Sequence, residues 1–401
     1  MEDRKMKGVS SMLVFKKRNR LIQGFTLVEL LISAGLLAVI MVLVSQLTLQ
    51  TSQVWRGAVN KIQTFQEARA AFESMTRTLS QATLNTYYDY YDGSNRSRLG
   101  LTATELAGFT PAVYDRISDL HFISGQSAAL LANSSAAVHT QTHAVFFQAP
   151  LGRSGSYGEL RNTLNACGYF LSFGSDESSV PKPVKGAPSY EPRYRFRLME
   201  MTQRSERLGI YDPTTGRSSD WFVNHAATTS RVVAENVIAL VLLPQLSPHD
   251  DAPDGIGDGV SIAPHYNYNS RVRRAAAEDV EWASASPAFP ADRFTIFPAG
   301  GKPPLSASRH DQLPPLMKVV MVVIDEASAR RVQGNDTTPP AAIDLAATSL
   351  FKHAVLLKDD LRAVEAICRA EAGNLTGNTV PLTYRIFTTE IIMREAKWSV
   401  N

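Results

Sequence analysis

Cysteine is nearly absent from the 401-residue chain: there are two, Cys167 and Cys368, and no CxxC pair. That excludes a thiol redox motif and a cysteine-based zinc site. A disulfide between them, if the body lies outside the cytoplasm, and two buried free thiols both fit. Catalytic signatures are lacking too. The sequence holds no HExxH, no GxSxG elbow and no GxxxxGK[ST] phosphate loop. Its eight histidines are scattered without paired metal spacing, and His121 and His143, inside predicted strands, read as structural. No enzyme is expected. Net positive charge is missing from most of the chain. Of the net +3, residues 1–24 alone hold +5 (seven Lys/Arg against two Asp/Glu), so the remaining 377 residues carry −2. A nearly neutral body argues against nucleic acid as a main partner. Proline is absent from Phe25 to Gln81, so nothing of that kind interrupts a helix there.

What is present begins at the N-terminus. Lys16, Lys17, Arg18 and Arg20 precede Gly24-Phe25-Thr26-Leu27-Val28-Glu29-Leu30-Leu31, and an apolar run continues to Leu49. The 25 residues from Phe25 to Leu49, at about 1.5 Å each, span a hydrocarbon core of about 30 Å with some tilt. The basic flank predicts that this end stays in the cytoplasm and the body is translocated. A signal peptide carries its apolar core before the cleavage site. Here the Gly24-Phe25 junction comes first, so cutting there leaves the membrane helix on the mature chain. Glu29 lies near the start of the lipid-spanning run, where a charge is expensive and usually functional.

This N-terminus resembles that of type IV pilins and type II secretion pseudopilins, with GFTLVELL the specific match. The resemblance implies cleavage after Gly24 by a membrane prepilin peptidase and N-methylation of the new terminus, Phe25. It also implies an assembly role for Glu29. Its carboxylate would balance the α-amino group of a neighbouring subunit in a low-dielectric bundle. The partners implied are the peptidase, other pilin or pseudopilin subunits and the inner membrane. Many major pilins have a proline in the middle of this helix, and its absence here leaves melting of the helix on assembly open. Met6 and Met12 are alternative starts within the 24-residue leader.

From Thr51 the helix turns amphipathic. Val54, Ala58, Ile62, Phe65, Ala68, Phe72, Met75, Leu79 and Ala82 recur at spacings of three and four, one apolar stripe. Arg69, Glu73 and Arg77 form i,i+4 pairs. One helix is therefore expected from about Phe25 to about Asn85. Its stripe packs on the protein's own sheet or, alternatively, on a coiled-coil partner. The cluster Tyr87-Tyr88-Asp89-Tyr90-Tyr91 either covers the join of helix and head or offers a contact surface. Strands are predicted at 119–123, 142–148, 168–173, 194–199, 232–243, 316–324 and 384–394. The run Val319 to Ile324 is apolar throughout, as for a strand covered on both faces. A helix is expected over 359–370, with Asp359 or Asp360 as cap and Gly373 as stop. The fold class is α+β: a long N-terminal helix on a mainly antiparallel head with long loops. The organisation expected is a leader (1–24), a membrane and assembly helix (25–49), its amphipathic continuation (50–85) and a periplasmic head (86–401).

Carboxylates among glycines at Asp250, Asp251, Asp254 and Asp258 suit a flexible acidic turn or a loop for calcium, although EF-hand spacing fails. No other cofactor is implied. Segments 67–73, 142–152 and 316–324, with the ending Ala396-Lys397-Trp398-Ser399, are similar to the Verru_Chthon cassette protein C family of pseudopilin-like proteins. That similarity, the large head and the retained Glu29 imply a J-like or W-like minor subunit. The function expected is subunit of a type II secretion or type IV pilus-like machine. A pilus-tip adhesin or DNA-uptake subunit delivered by the same route is the alternative.

Overall fold

A computed structural model describes residues 26–397 apart from 94–95, 99–100, 135–138, 157, 159, 178–179, 189, 213–219, 248–258, 261, 272–309 and 334–335. The chain divides into two units, residues up to Ala58 and residues from Val59 onward. The first helix, α1 (Leu27–Leu79), contributes to both.

In the second unit the chain turns sharply after Leu79. Ser80 and Gln81 close the last turn, and the Thr83 N–H donates to the Gln148 carbonyl at 2.9 Å. The helix thus ends six residues short of the sequence expectation of Asn85, because Thr83 is drawn onto Gln148, Asn85 caps the 118–120 loop and Thr86 donates to the Asp311 carbonyl. Strands β1 (Tyr87–Asp92) and β2 (Pro111–Ile117) pair antiparallel as a two-stranded ribbon, with the short helix α2 (Ala103–Ala107) between them. Next come β3 (Ile123–Gln126), α3 (Ser127–Leu130), β4 (His143–Pro150) and β5 (Leu164–Ser175). They are followed by α4 (Lys182–Lys185), β6 (Tyr194–Gln203), α5 (Asp220–Ala226) and β7 (Ser230–Glu235). Then β8 (Val237–Gln245), β9 (Tyr268–Asn269), β10 (Leu316–Ile324), α6 (Glu326–Gln333), α7 (Leu357–Arg369) and β11 (Tyr384–Ile392) complete the described elements.

Six strands form one sheet in the order β7-β6-β5-β4-β3-β9, and three form another in the order β11-β10-β8. Every described strand pair is antiparallel. The protein is α+β with a long N-terminal helix, as the sequence predicts.

Strand β10 shows why its sequence is apolar throughout. Val319, Met321 and Val323 enter the core that also holds α1 and the six-stranded sheet. Val320, Val322 and Ile324 enter a second core with Val364, Ile367 and Cys368 of α7. Both faces are covered, so alternation would leave polar side chains without water. The stripe on α1 splits. Ala68, Ala71, Phe72, Met75 and Leu79 are buried with the sheets, and Phe72 meets Phe387 of β11 at 5.8 Å between ring centroids. Over that stretch the partner is the protein's own sheet. Ile62, on the same stripe, stays exposed.

Several expected boundaries move. The single strand expected over 232–243 is two, broken at Asn236, whose φ of 61° turns the chain. Asparagine tolerates this left-handed geometry better than most residues. Residues 119–122 are loop, and the strand starts at Ile123. Helix α7 begins at Leu357 with no side-chain cap; Asp360 instead accepts the Phe351 N–H at 2.9 Å. Ala370, with φ 56°, ends that helix rather than Gly373. The tyrosines are divided: Tyr91 is buried and donates to the Arg116 carbonyl at 2.8 Å, while Tyr88 and Tyr90 are exposed.

Candidate functional site

The sequence places the site at the start of α1. Gly24 and Phe25 lie outside the described residues, as do Asp250, Asp251, Asp254 and Asp258. Among the described residues no group of His, Cys, Asp or Glu could hold a metal ion.

Thr26 and Glu29 are brought together. The Thr26 N–H donates to Glu29 Oε2 at 3.0 Å, and the Thr26 hydroxyl donates to the same oxygen at 3.0 Å. In return the Glu29 N–H donates to Thr26 Oγ1 at 3.3 Å. This is a reciprocal capping box. It satisfies two of the four N–H groups that any helix start leaves orphaned, which matters most where no water can replace them. Glu29 stands out in the sequence as a charge in an apolar run, whereas Thr26 does not. The signal was present, since Thr26-Leu27-Val28-Glu29 is a Thr-x-x-Glu run ahead of an apolar segment.

From Leu27 to Leu49 every side chain of α1 is exposed, including Leu36, Val39, Leu43 and Leu47. An 18-residue window reaches a mean hydropathy of 2.7, so this helix is long and apolar enough to cross a membrane. Two of its hydroxyls bond inward: Ser33 donates to the Glu29 carbonyl, and Thr48 to the Val44 carbonyl at 2.8 Å. Each polar side chain so placed spares the hydrocarbon an unpaired donor. The prokaryotic N-terminal methylation motif matches residues 19–45. The match carries a type IV pilin-like prepilin cleavage signal. It supports a pilin-like or pseudopilin-like protein processed by prepilin peptidase and assembled with other such subunits. It points to a structural subunit rather than an enzyme, and with α1 it fits a membrane-anchored, single-pass chain. No curated protein and no solved structure matches the chain.

The head's titratable groups are engaged in holding structure. His121 Nδ1 accepts the Trp221 indole N–H at 3.1 Å, so Nε2 carries the proton and donates to Asn269 Oδ1 at 2.9 Å. His143 has the same tautomer: Nδ1 accepts the Leu242 N–H at 3.0 Å, and Nε2 donates to the Phe351 carbonyl at 2.8 Å. Burial holds both neutral, pushing His121 down to about 3 and His143 to about 4. Cys167 sits in β5 and Cys368 in α7, in different cores, and both are free, buried thiols. Burial pushes each up to about 12, away from the reactive thiolate.

Proposed function

We propose that this chain is a minor subunit of a type II secretion or type IV pilus-like machine. Prepilin peptidase removes residues 1–24, and Phe25 becomes the methylated N-terminus. The anchored subunit then enters a short filament or tip complex through α1. The observation that carries this reading is the apolar start of α1, uncovered by protein and opened by the Thr26–Glu29 cap. Glu29 Oε2 does all of the capping, which leaves Oε1 unengaged among the described residues. Its negative charge suits the α-amino group of a neighbouring helix, because an unpaired carboxylate in hydrocarbon costs several kcal/mol. The basic leader favours a cytoplasmic start and a periplasmic head. The body segments similar to Verru_Chthon cassette protein C, with the size of the head, favour a J-like or W-like position.

The test is intact mass and N-terminal sequencing of the membrane protein with and without the peptidase. A methylated Phe25 terminus that depends on the enzyme is expected. An uncut chain, or a cut after the apolar run, refutes the pathway. With cleavage established, Glu29→Ala is expected to be processed normally and to enter filaments poorly. Normal incorporation refutes the role of Glu29 alone.

A further inference from the structure

One surface of the head gathers positive charge, although residues 25–401 as a whole carry −2. Two clefts, of about 610 and 510 Å³, share Gly155, Thr202, Arg204 and Thr229 in their walls and so form one trough. The loop after β4, the end of β6 and the start of β7 build it.

At one side lies Glu200 of β6, whose side chain is only 3% exposed. It accepts Arg153 Nη2 at 3.1 Å, the Tyr169 hydroxyl at 3.0 Å and the Arg231 guanidinium. Two guanidiniums on one carboxylate leave one positive charge over. Arg204 and Arg207 are exposed, and among the described residues no carboxylate bridges either one. The Arg204 guanidinium lies over Gly155, where a Cβ would stand 3.0 Å from Nη1.

The same loop already holds an oxyanion. Glu206 Oε1 accepts the Gly155 N–H at 2.8 Å, the Ser156 N–H at 2.8 Å and the Ser154 hydroxyl. Three donors converge on one carboxylate oxygen, the geometry of an anion nest. These bonds hold the exposed carboxyl at about 2, well below the usual range. Glu206 is exposed and belongs to a single 3₁₀ turn, Ser205–Arg207.

We propose that this trough binds a phosphate group, carried by a soluble phosphate ester or by a lipid headgroup. A phosphoryl oxygen replaces Glu206 in the Ser154–Ser156 nest, and Arg204 and Arg207 pair with the others. A second carboxylate offers two oxygens. A phosphate has enough acceptors to fill the nest and meet two guanidiniums together, and arginine forks match that geometry. The proposal stands independently of the assembly reading.

The experiment is isothermal titration of the full chain in a non-ionic detergent. The probes are inorganic phosphate, glycerol phosphate and dihexanoyl phosphatidylglycerol, with acetate as control. Saturable binding of at least one phosphate probe, with none of acetate, is expected. Arg204→Ala with Arg207→Ala, confirmed folded by circular dichroism, should weaken it by about tenfold or more, since each of the two charge-assisted pairs lost is worth about a factor of ten. Glu206→Gln keeps the side chain but removes the competing charge, and should tighten binding. Binding of the two soluble phosphates assigns a soluble ester; binding confined to the phospholipid assigns a headgroup. The proposal is overturned if no phosphate probe saturates, if acetate binds as well, or if the arginine and glutamate variants leave affinity unchanged.

Discussion

Replacing His143 with glutamine should flatten the acid side of the protein's stability profile. Folding holds His143 at about 4, against 6.5 for the exposed ring. Between those values the unfolded chain binds a proton that the folded chain refuses. Stability therefore falls as pH drops through 6.5 and is fully present above it. At pH 5 the unfolded ring gains about 1.5 pH units of protonation free energy and the folded ring almost none, so one histidine costs about 2 kcal/mol at about 1.36 kcal/mol per unit. Asp360 works in the opposite sense, since burial pushes it up to about 6. Depressed carboxylates such as Glu206 lose their contribution only at lower pH. These other groups cancel when the variant is compared with the parent chain at both pH values. Glutamine can still accept the Leu242 N–H and donate to the Phe351 carbonyl, so the fold should survive. The assay is urea unfolding of the full chain in detergent at pH 7.5 and pH 5.0, followed by circular dichroism. The loss on acidification should shrink by about 2 kcal/mol in His143→Gln. An unchanged loss would show that the ring is not held neutral, and the tautomer assignment would fall with it.

Three further outcomes are expected. Met75→Ala, at a fully buried position where α1 meets the sheets, should destabilise the head by about 2–5 kcal/mol; an unshifted urea midpoint would detach α1 from the core. Asn236→Ala should cost about 1–2 kcal/mol more than Asn236→Gly, since φ is 61° there; equal unfolding midpoints would contradict the left-handed turn. Cys167 and Cys368 should resist iodoacetamide in the native chain and both react once it is denatured, and a non-reduced mass two hydrogens lighter would contradict the two free thiols.

Legibility followed the range of the interactions. The start of α1 was readable because its signals are local: basic flank, glycine junction, apolar run and one carboxylate within a few residues. β10 and β11 were readable because burial on a given face imposes a local pattern on the residues. The break at Asn236 was marked only by the polar pair Glu235-Asn236 in an otherwise apolar run, too short a signal to divide one strand into two. The ribbon of β1 and β2 also escaped. Tyr87–Asp92 looks like an aromatic cluster until a partner strand 19 residues downstream aligns Tyr90 with Tyr114. The trough was invisible for a similar reason: Arg153, Arg204 and Arg231 come from three separate segments, and each alone is a solvated charge.

The run Gln141-Thr142-His143 shows how far such long-range terms reach. Among the described residues β8 ends its sheet, with β10 on one side only. Its other edge is buried, so unpaired N–H and C=O groups there would each cost the full desolvation penalty. Side chains take the place of the missing strand. Thr142 Oγ1 accepts the Leu240 N–H at 3.0 Å, His143 Nδ1 the Leu242 N–H at 3.0 Å, and the Gln141 amide donates to the Ile238 carbonyl at 2.6 Å. Gln141 Oε1 also accepts the Leu345 N–H at 3.0 Å, which ties a distant loop to the same edge. The alignment has a backbone cost. Thr142 is held at φ 57°, a conformation that a β-branched residue adopts only when its surroundings over-determine it. A buried sheet edge thus explains a strained threonine, a neutral histidine and a buried glutamine at once. None of the three needs a catalytic role to account for its burial.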